Sequence, residues 1–132
     1  MSILDHLTVN VRDYARSKAF YAQALAPLGI TLVMEYGEAC GFGRGPKPDL
    51  WISARPASFQ TAEQMATITP VHLAFAARSR DEVDAFHRAA LAAGGRDFGA
   101  PGPRPQYHPN YYGAFILDPD GHNIEAVYHA PV

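Results

Sequence analysis

Two histidines and one glutamate carry the first chemical signal in this chain. With His6 set over His72, His6-Leu7 falls on His72-Leu73, Arg12 on Arg78 and Ala19-Phe20 on Ala85-Phe86, without a gap. Ala24-Leu25-Ala26 then falls on Ala90-Leu91-Ala92, and Gly29 on Gly95. The two histidines therefore open equivalent segments of an internal repeat. Glu125 lies in the otherwise apolar run Ile124–Tyr128. A carboxylate buried there without a cation is costly. Two imidazoles and one carboxylate are the donor set of a facial divalent-metal site. Such a site keeps open positions for a bidentate substrate, water or dioxygen. A lone histidine reads as a satisfied core or surface imidazole; the shared repeat position favours the metal reading.

Other residues leave two readings open. Trp51 is either a flat apolar pocket wall or core. His108, Tyr111 and Tyr112 follow a proline-rich stretch. They either supply an acid or base over the metal or anchor a polar loop. His122, beside the hairpin glycine, reads as a turn organiser, and His87, beside Arg88, as solvent-facing. Cys40 has no CxxC partner and reads as a core thiol. Gly41-Phe42-Gly43-Arg44-Gly45 lacks the strand-to-helix context and the lysine of a phosphate loop.

The elements that must position these side chains follow from periodicity. Leu4–Val11 and Val71–Ala77 alternate as half-buried strands, one face bulky and the other carrying the histidine. A helix follows each. Asp13 is the N-cap of the first, and Ser79 with Glu82 forms a capping box on the second. Three further strands complete each unit: Thr31–Tyr36, Ala39–Gly43 and Leu50–Ala54, then Arg96–Gly99, Tyr112–Leu117 and Asn123–His129. Asp118-Pro119-Asp120-Gly121 predicts a type I turn with a G1 bulge. That turn pairs residues 118 and 122, sets Phe115 opposite Glu125, and places Tyr111 and Gly113 on the Glu125 face. A two-residue turn would place Tyr112 there instead. Gly99–Asn110, with Pro101, Pro103, Pro105 and Pro109, reads as an irregular wall or lid.

The chain of 132 residues thus divides into a unit at 1–56, a connector at 57–70 and a unit at 71–132, forming one domain. With 11 Lys and Arg against 13 Asp and Glu, the formal charge is -2, which argues against a sequence-independent nucleic-acid binder. No apolar run is long enough to span a membrane. The opening residues lack the pattern of a secretory signal, and one cysteine allows no intrachain disulfide, so a cytoplasmic setting is expected. Open sheets with unpaired edges favour pairing within or between chains.

The two β-α-β-β-β units, the matched His6 and His72, and the run Asp118-Pro119-Asp120-Gly121-His122-Asn123-Ile124-Glu125 resemble the vicinal oxygen chelate superfamily. This group includes glyoxalase I, extradiol dioxygenases, and fosfomycin- and bleomycin-resistance proteins. The resemblance covers nearly the whole chain. It implies an α+β fold of two βαβββ modules with curled mixed sheets around a cleft. Ligands in that family come from the first and last strands of each unit. His6, His72 and Glu125 match three such positions, and Trp51 fills the fourth, where an indole N–H cannot ligate. That departure puts glutathione-dependent glyoxalase chemistry in doubt.

The resemblance implies a metal-dependent glyoxalase- or dioxygenase-type enzyme, a lyase or oxidoreductase, acting on a small substrate with vicinal oxygens. The metal is Fe, Mn, Ni or Zn. His108 or Tyr111 would move protons, Trp51, Phe115 and Tyr112 would line the substrate pocket, and a homodimer is expected. The alternative is a non-enzymatic drug-binding protein similar to bleomycin-resistance proteins. Whether His6 meets His72 within one chain or between two stays open.

Overall fold

The computed structural model describes residues 2–129. The first unit runs β1 (Leu7–Asn10), α1 (Tyr14–Ala24), a 3-10 turn (Ala26–Leu28), β2 (Thr31–Tyr36), β3 (Ala39–Gly43) and β4 (Leu50–Ser53). A short helix, α2 (Ala62–Ala66), interrupts the connector. The second unit runs β5 (His72–Ala76), α3 (Arg80–Ala92), β6 (Arg96–Pro103), β7 (Tyr112–Leu117) and β8 (Asn123–Tyr128). Each unit makes one four-stranded mixed sheet, ordered β1-β4-β3-β2 and β5-β8-β7-β6. The first strand of each pairs parallel with the last, and the other pairings are antiparallel. Among the described residues no helix is long and apolar enough to cross a membrane.

The local signals explain these elements. Asp13 accepts the Arg16 N–H at 3.1 Å and starts α1. Ser79 accepts the Glu82 N–H at 3.1 Å and starts α3. The box at α3 is only half closed, because the Glu82 carboxylate reaches one residue further, to the Arg78 N–H at 2.9 Å. The sixth strand is longer than the sequence suggests. It passes through Pro101 to Pro103 with two register shifts. An edge strand tolerates proline, since its outer N–H groups need no ladder partner. His87 is 8 % exposed rather than solvent-facing, because the Asp97 carboxylate on β6 gives its Nε2 a partner at 3.0 Å.

Helices α1 and α3 lie between the sheets. Val9, Phe42 and Ile52 of the first sheet share one core with Phe86, Ile116 and Ile124 of the second unit. Side chains alternate along a strand, so the opposite face of each sheet turns away from that core. Gly95 marks a tight approach within it: a Cβ there would meet Ile116 Cγ2 at 2.5 Å and Phe20 Cε1 at 2.9 Å.

The turn between β7 and β8 clamps the two units. Gly121 takes φ +88°, and Asp118 and His122 close the bulged turn through the Asp118 N–H and His122 C=O at 2.9 Å. The buried Asp118 carboxylate accepts the Asp120 and His122 N–H groups at 2.9 and 2.8 Å and the Tyr21 hydroxyl from α1. Asp120 accepts the Arg12 N–H at 3.0 Å. His122 accepts the Val71 N–H on Nδ1 and donates from Nε2 to the Asn10 carbonyl, both at 3.0 Å. On the far side of the seam, Arg44 donates to the Leu28 carbonyl at 2.9 Å and the Ala76 carbonyl at 2.5 Å.

Burial pushes the Asp118 carboxyl up and the Tyr21 phenol well up. Removing the Tyr21 hydroxyl leaves a buried carboxylate oxygen short of a donor, which costs about 1–3 kcal/mol. Tyr21→Phe is therefore expected to lower the free energy of unfolding by that amount, read as a lower urea midpoint at an unchanged denaturant slope. A midpoint equal to wild type would show that the clamp bears no load.

Candidate functional site

Parallel pairing of β5 with β8 sets His72 beside Asn123 and Ala74 beside Glu125. Antiparallel pairing of β7 with β8 sets Phe115 opposite Glu125, the register the bulged turn predicts. His72, Phe115, Asn123 and Glu125 then share the face turned away from the helices. With Tyr107 and Tyr111 they line one cavity of about 480 Å³.

Glu125 is the centre of this face. Its residue is 1 % exposed. One carboxylate oxygen sits 3.0 Å from His72 Nε2. The other accepts the Tyr111 hydroxyl. Burial and the adjacent carboxylate push the Tyr111 phenol far above its ordinary range, so it stays protonated and donates. His72 Nδ1 lies 3.1 Å from the Asn123 carbonyl, which fixes its proton on that nitrogen. Nε2 then presents a lone pair toward Glu125. Two electron-rich atoms at 3.0 Å require a proton or a metal cation between them. The Phe115 ring stacks on His72 at 6.2 Å, and Arg104 lies over its other neighbourhood at 5.5 Å from the ring centroid. Gly113 permits this crowding: a Cβ there would lie 3.1 Å from both the Glu125 carboxylate and the Tyr111 ring.

Asn123 was not singled out by sequence reasoning. Its side-chain oxygen is buried with no partner among the described residues. The signal was its spacing, two residues before Glu125 on the same strand face. An unpaired buried acceptor beside a carboxylate and an imidazole lone pair suits a cation or a donor ligand. The donor set of this cavity therefore fits a divalent metal.

His6 stands elsewhere. It precedes β1, and its Nδ1 lies 2.6 Å from Asp5 Oδ1, which again leaves Nε2 free to face a ligand. His6 lines a separate cavity of about 450 Å³, with Leu73 to Ala76 along β5 but without His72. Within one chain the structure brings His72, Glu125, Tyr111 and Phe115 together, and it leaves His6 apart.

Trp51 lies on the equivalent outward face of the first sheet, at the position corresponding to Glu125. It pairs with Thr8 on one side and Gly41 on the other. A Cβ at Gly41 would meet the Trp51 ring at 3.1 Å, so the indole lies across that glycine. Tyr112 faces the other way: its hydroxyl donates to Asp84 of α3 at 2.7 Å, with Arg80 over its ring. His108 sits behind Tyr111 rather than in the cavity, its ring edge-on to Tyr111 at 5.6 Å.

A second group of ligand-type residues, Asp118, Asp120 and His122, lies in the hairpin turn. Both His122 nitrogens are spent on Val71 and Asn10, and Tyr21 and two amides occupy Asp118. That turn is built as a clamp, with no lone pair of His122 left for a metal.

Comparison with known proteins follows the same lines. The model of the Glyoxalase/Bleomycin resistance protein/Dioxygenase superfamily matches residues 3–126. A glyoxalase/bleomycin resistance protein from Albidiferax ferrireducens T118 is 33 % identical, with a TM-score of 0.80 over 96 % of this chain and 99 % of that one. A glyoxalase/bleomycin resistance protein/dioxygenase family enzyme from Burkholderia phytofirmans PsJN shares the fold at 23 % identity, with a TM-score of 0.72 over 98 % and 100 %. TioX from Micromonospora sp. ML1 shares it at 15 % identity, with a TM-score of 0.71 over 98 % and 100 %. No curated protein matches the chain.

The proton requirement at Glu125 yields a test. In Glu125→Gln the amide can donate to the His72 Nε2 lone pair and accept from Tyr111, with no extra proton. Metal-free Glu125→Gln is expected to melt about 3–5 °C above wild type at neutral pH, equivalent to about 1 kcal/mol. A lower melting temperature would mean that the carboxylate is already well satisfied by protein groups.

Proposed function

The chain belongs to the Glyoxalase/Bleomycin resistance protein/Dioxygenase superfamily, and on that premise we propose that it is a metal-dependent enzyme acting on a small substrate with vicinal oxygens. The observation that supports this reading is the buried Glu125 facing the lone pair of a tautomer-fixed His72. Stability alone gives no reason to bury that pair.

His72 and Glu125 of one chain, with His6 of a second copy, would hold the metal, here Fe, Mn, Ni or Zn. That His6 and His72 line different cavities of one chain supports a site shared between copies. A bound metal supplies Lewis acidity that stabilises an enolate-like or catecholate anion of the substrate. The chain's own residues do the rest. Tyr111 keeps a proton on its hydroxyl and holds one Glu125 oxygen in place. Phe115 gives a flat apolar wall beside His72. Asn123 offers a fixed acceptor to a substrate hydroxyl. On the partner's facing sheet, Trp51 over Gly41 gives a second flat wall. The Tyr112 side chain, bound to Asp84 on the helix side of its sheet, touches no substrate. His108 acts through Tyr111.

Metal analysis decides the reading. Wild type should take up about one divalent ion per site after reconstitution, and chelation should lower its melting temperature. His6→Ala and His72→Ala should each abolish uptake, while His87→Ala retains it. In a shared dimer, a co-refolded equal mixture of the His6→Ala and His72→Ala chains should recover about a quarter of wild-type uptake. A site built within one chain would recover none. Uptake below about 0.2 per chain, with no melting shift on chelation, would replace the enzyme with a small-molecule binding protein using the same cavity.

A further inference from the structure

His108 and His129 make a contact that the candidate site does not otherwise explain. Nδ1 of His108 accepts the Asn110 N–H at 3.0 Å. That bond leaves the ring's proton on Nε2, which lies 2.6 Å from Nδ1 of His129. His129 accepts it and so carries its own proton on Nε2. The rings stack with centroids 4.8 Å apart and planes at 25°. Tyr111 sets its ring edge-on to both, at 5.6 and 5.1 Å, and its hydroxyl is on Glu125. His129 directly follows β8, the strand that carries Glu125.

The segment being held is the loop from Arg104 to Tyr111. Its internal bonds are few: Arg104 N–H to the Tyr111 carbonyl at 2.9 Å, Tyr107 N–H to the Arg104 carbonyl at 3.0 Å, and Tyr111 N–H to the His108 carbonyl at 3.2 Å. Among the described residues, Glu125 is the side chain of β8 that bonds the loop.

We propose that His129 is a positioning residue: by accepting the His108 Nε2 proton it holds the 104–111 loop closed, with Tyr111 on Glu125, only while both imidazoles are neutral. A proton added to His108 Nδ1 would face the Asn110 N–H. A proton added to His129 Nδ1 would face the His108 Nε2–H. Either sets donor against donor. The ionisable groups facing the rings are Tyr111, with Tyr107 against it, Arg104 within the loop, and Glu125 behind Tyr111 on β8. Among the described residues the histidine–carboxylate pairs are those of His6, His72 and His87, so no carboxylate there compensates a charge on the pair. A proton added to either ring therefore releases the loop and exposes Glu125. The importance of that release rests on Glu125 being a metal ligand; the latch itself does not.

Amide hydrogen exchange on chelator-treated protein tests the latch without any metal. In wild type, protection of Arg104, Asn110 and Tyr111 should fall about tenfold between pH 8 and pH 5.5, after correction for intrinsic rates, while Phe115 and Ile124 hold theirs. His129→Phe keeps an aromatic ring but no acceptor, and should lose the loop protection already at pH 8. His129→Asn sets an amide oxygen near the Nδ1 position and should restore it at pH 8 to within about threefold of wild type. Wild-type protection equal at both pH values, His129→Phe protected like wild type, or His129→Asn as open as His129→Phe would each overturn the proposal. A protein that takes up no metal but shows this pattern would keep the latch and lose only the proposed function.

Discussion

Val9, Phe42 and Ile52 from one sheet and Phe86, Ile116 and Ile124 from the other unit meet in a single core around the helices. Neither unit of roughly sixty residues buries enough surface to be secure alone. Sharing the helix layer solves that, and it dictates everything outside the core. Since strand side chains alternate, the faces carrying Thr8 and Trp51 on one sheet, and His72 and Glu125 on the other, must both turn away from the shared layer. The same packing that stabilises the fold sets Trp51 and Glu125 on separate faces.

The hairpin between β7 and β8 joins this constraint to the site. Its turn fixes which residues of β7 oppose Glu125, and its side chains reach across to Asn10, Arg12 and Tyr21 of the first unit. The run from Asp118 to Glu125 therefore has two jobs on one short segment. Asp118, Asp120 and His122 lock the units together, and Asn123 and Glu125 face the cavity. A cluster of acidic and imidazole groups invites a metal reading at the turn. Its hydrogen bonds leave no His122 lone pair free there.

At Glu125 the fold accepts a buried carboxylate whose partners are a histidine lone pair and one phenol. Phe115, Gly113 and the 104–111 loop are arranged around that group, and Gly113 is the residue that lets Tyr111 approach it. His108 and His129 then hold Tyr111 from outside. The site is thus supported from the strand ladder beneath and from one loop above, two supports of very different stability.

Much of this was legible in the sequence, because it depends on neighbours. The bulged turn at Asp118 to Gly121, the β7–β8 register, the caps at Asp13 and Ser79, and the bounds of β2, β3 and β7 follow from residues within a few positions of one another. Local patterns misjudged β6, since whether proline is tolerated depends on the strand being at an edge. They also misjudged His87, whose burial depends on Asp97 from the following strand. The repeat established that His6 and His72 are equivalent, and equivalence is all a sequence can give. Their distance in space was decided only by how the two sheets share one helix layer, because that packing sums many weak long-range contacts that leave no trace in the spacing of the two histidines.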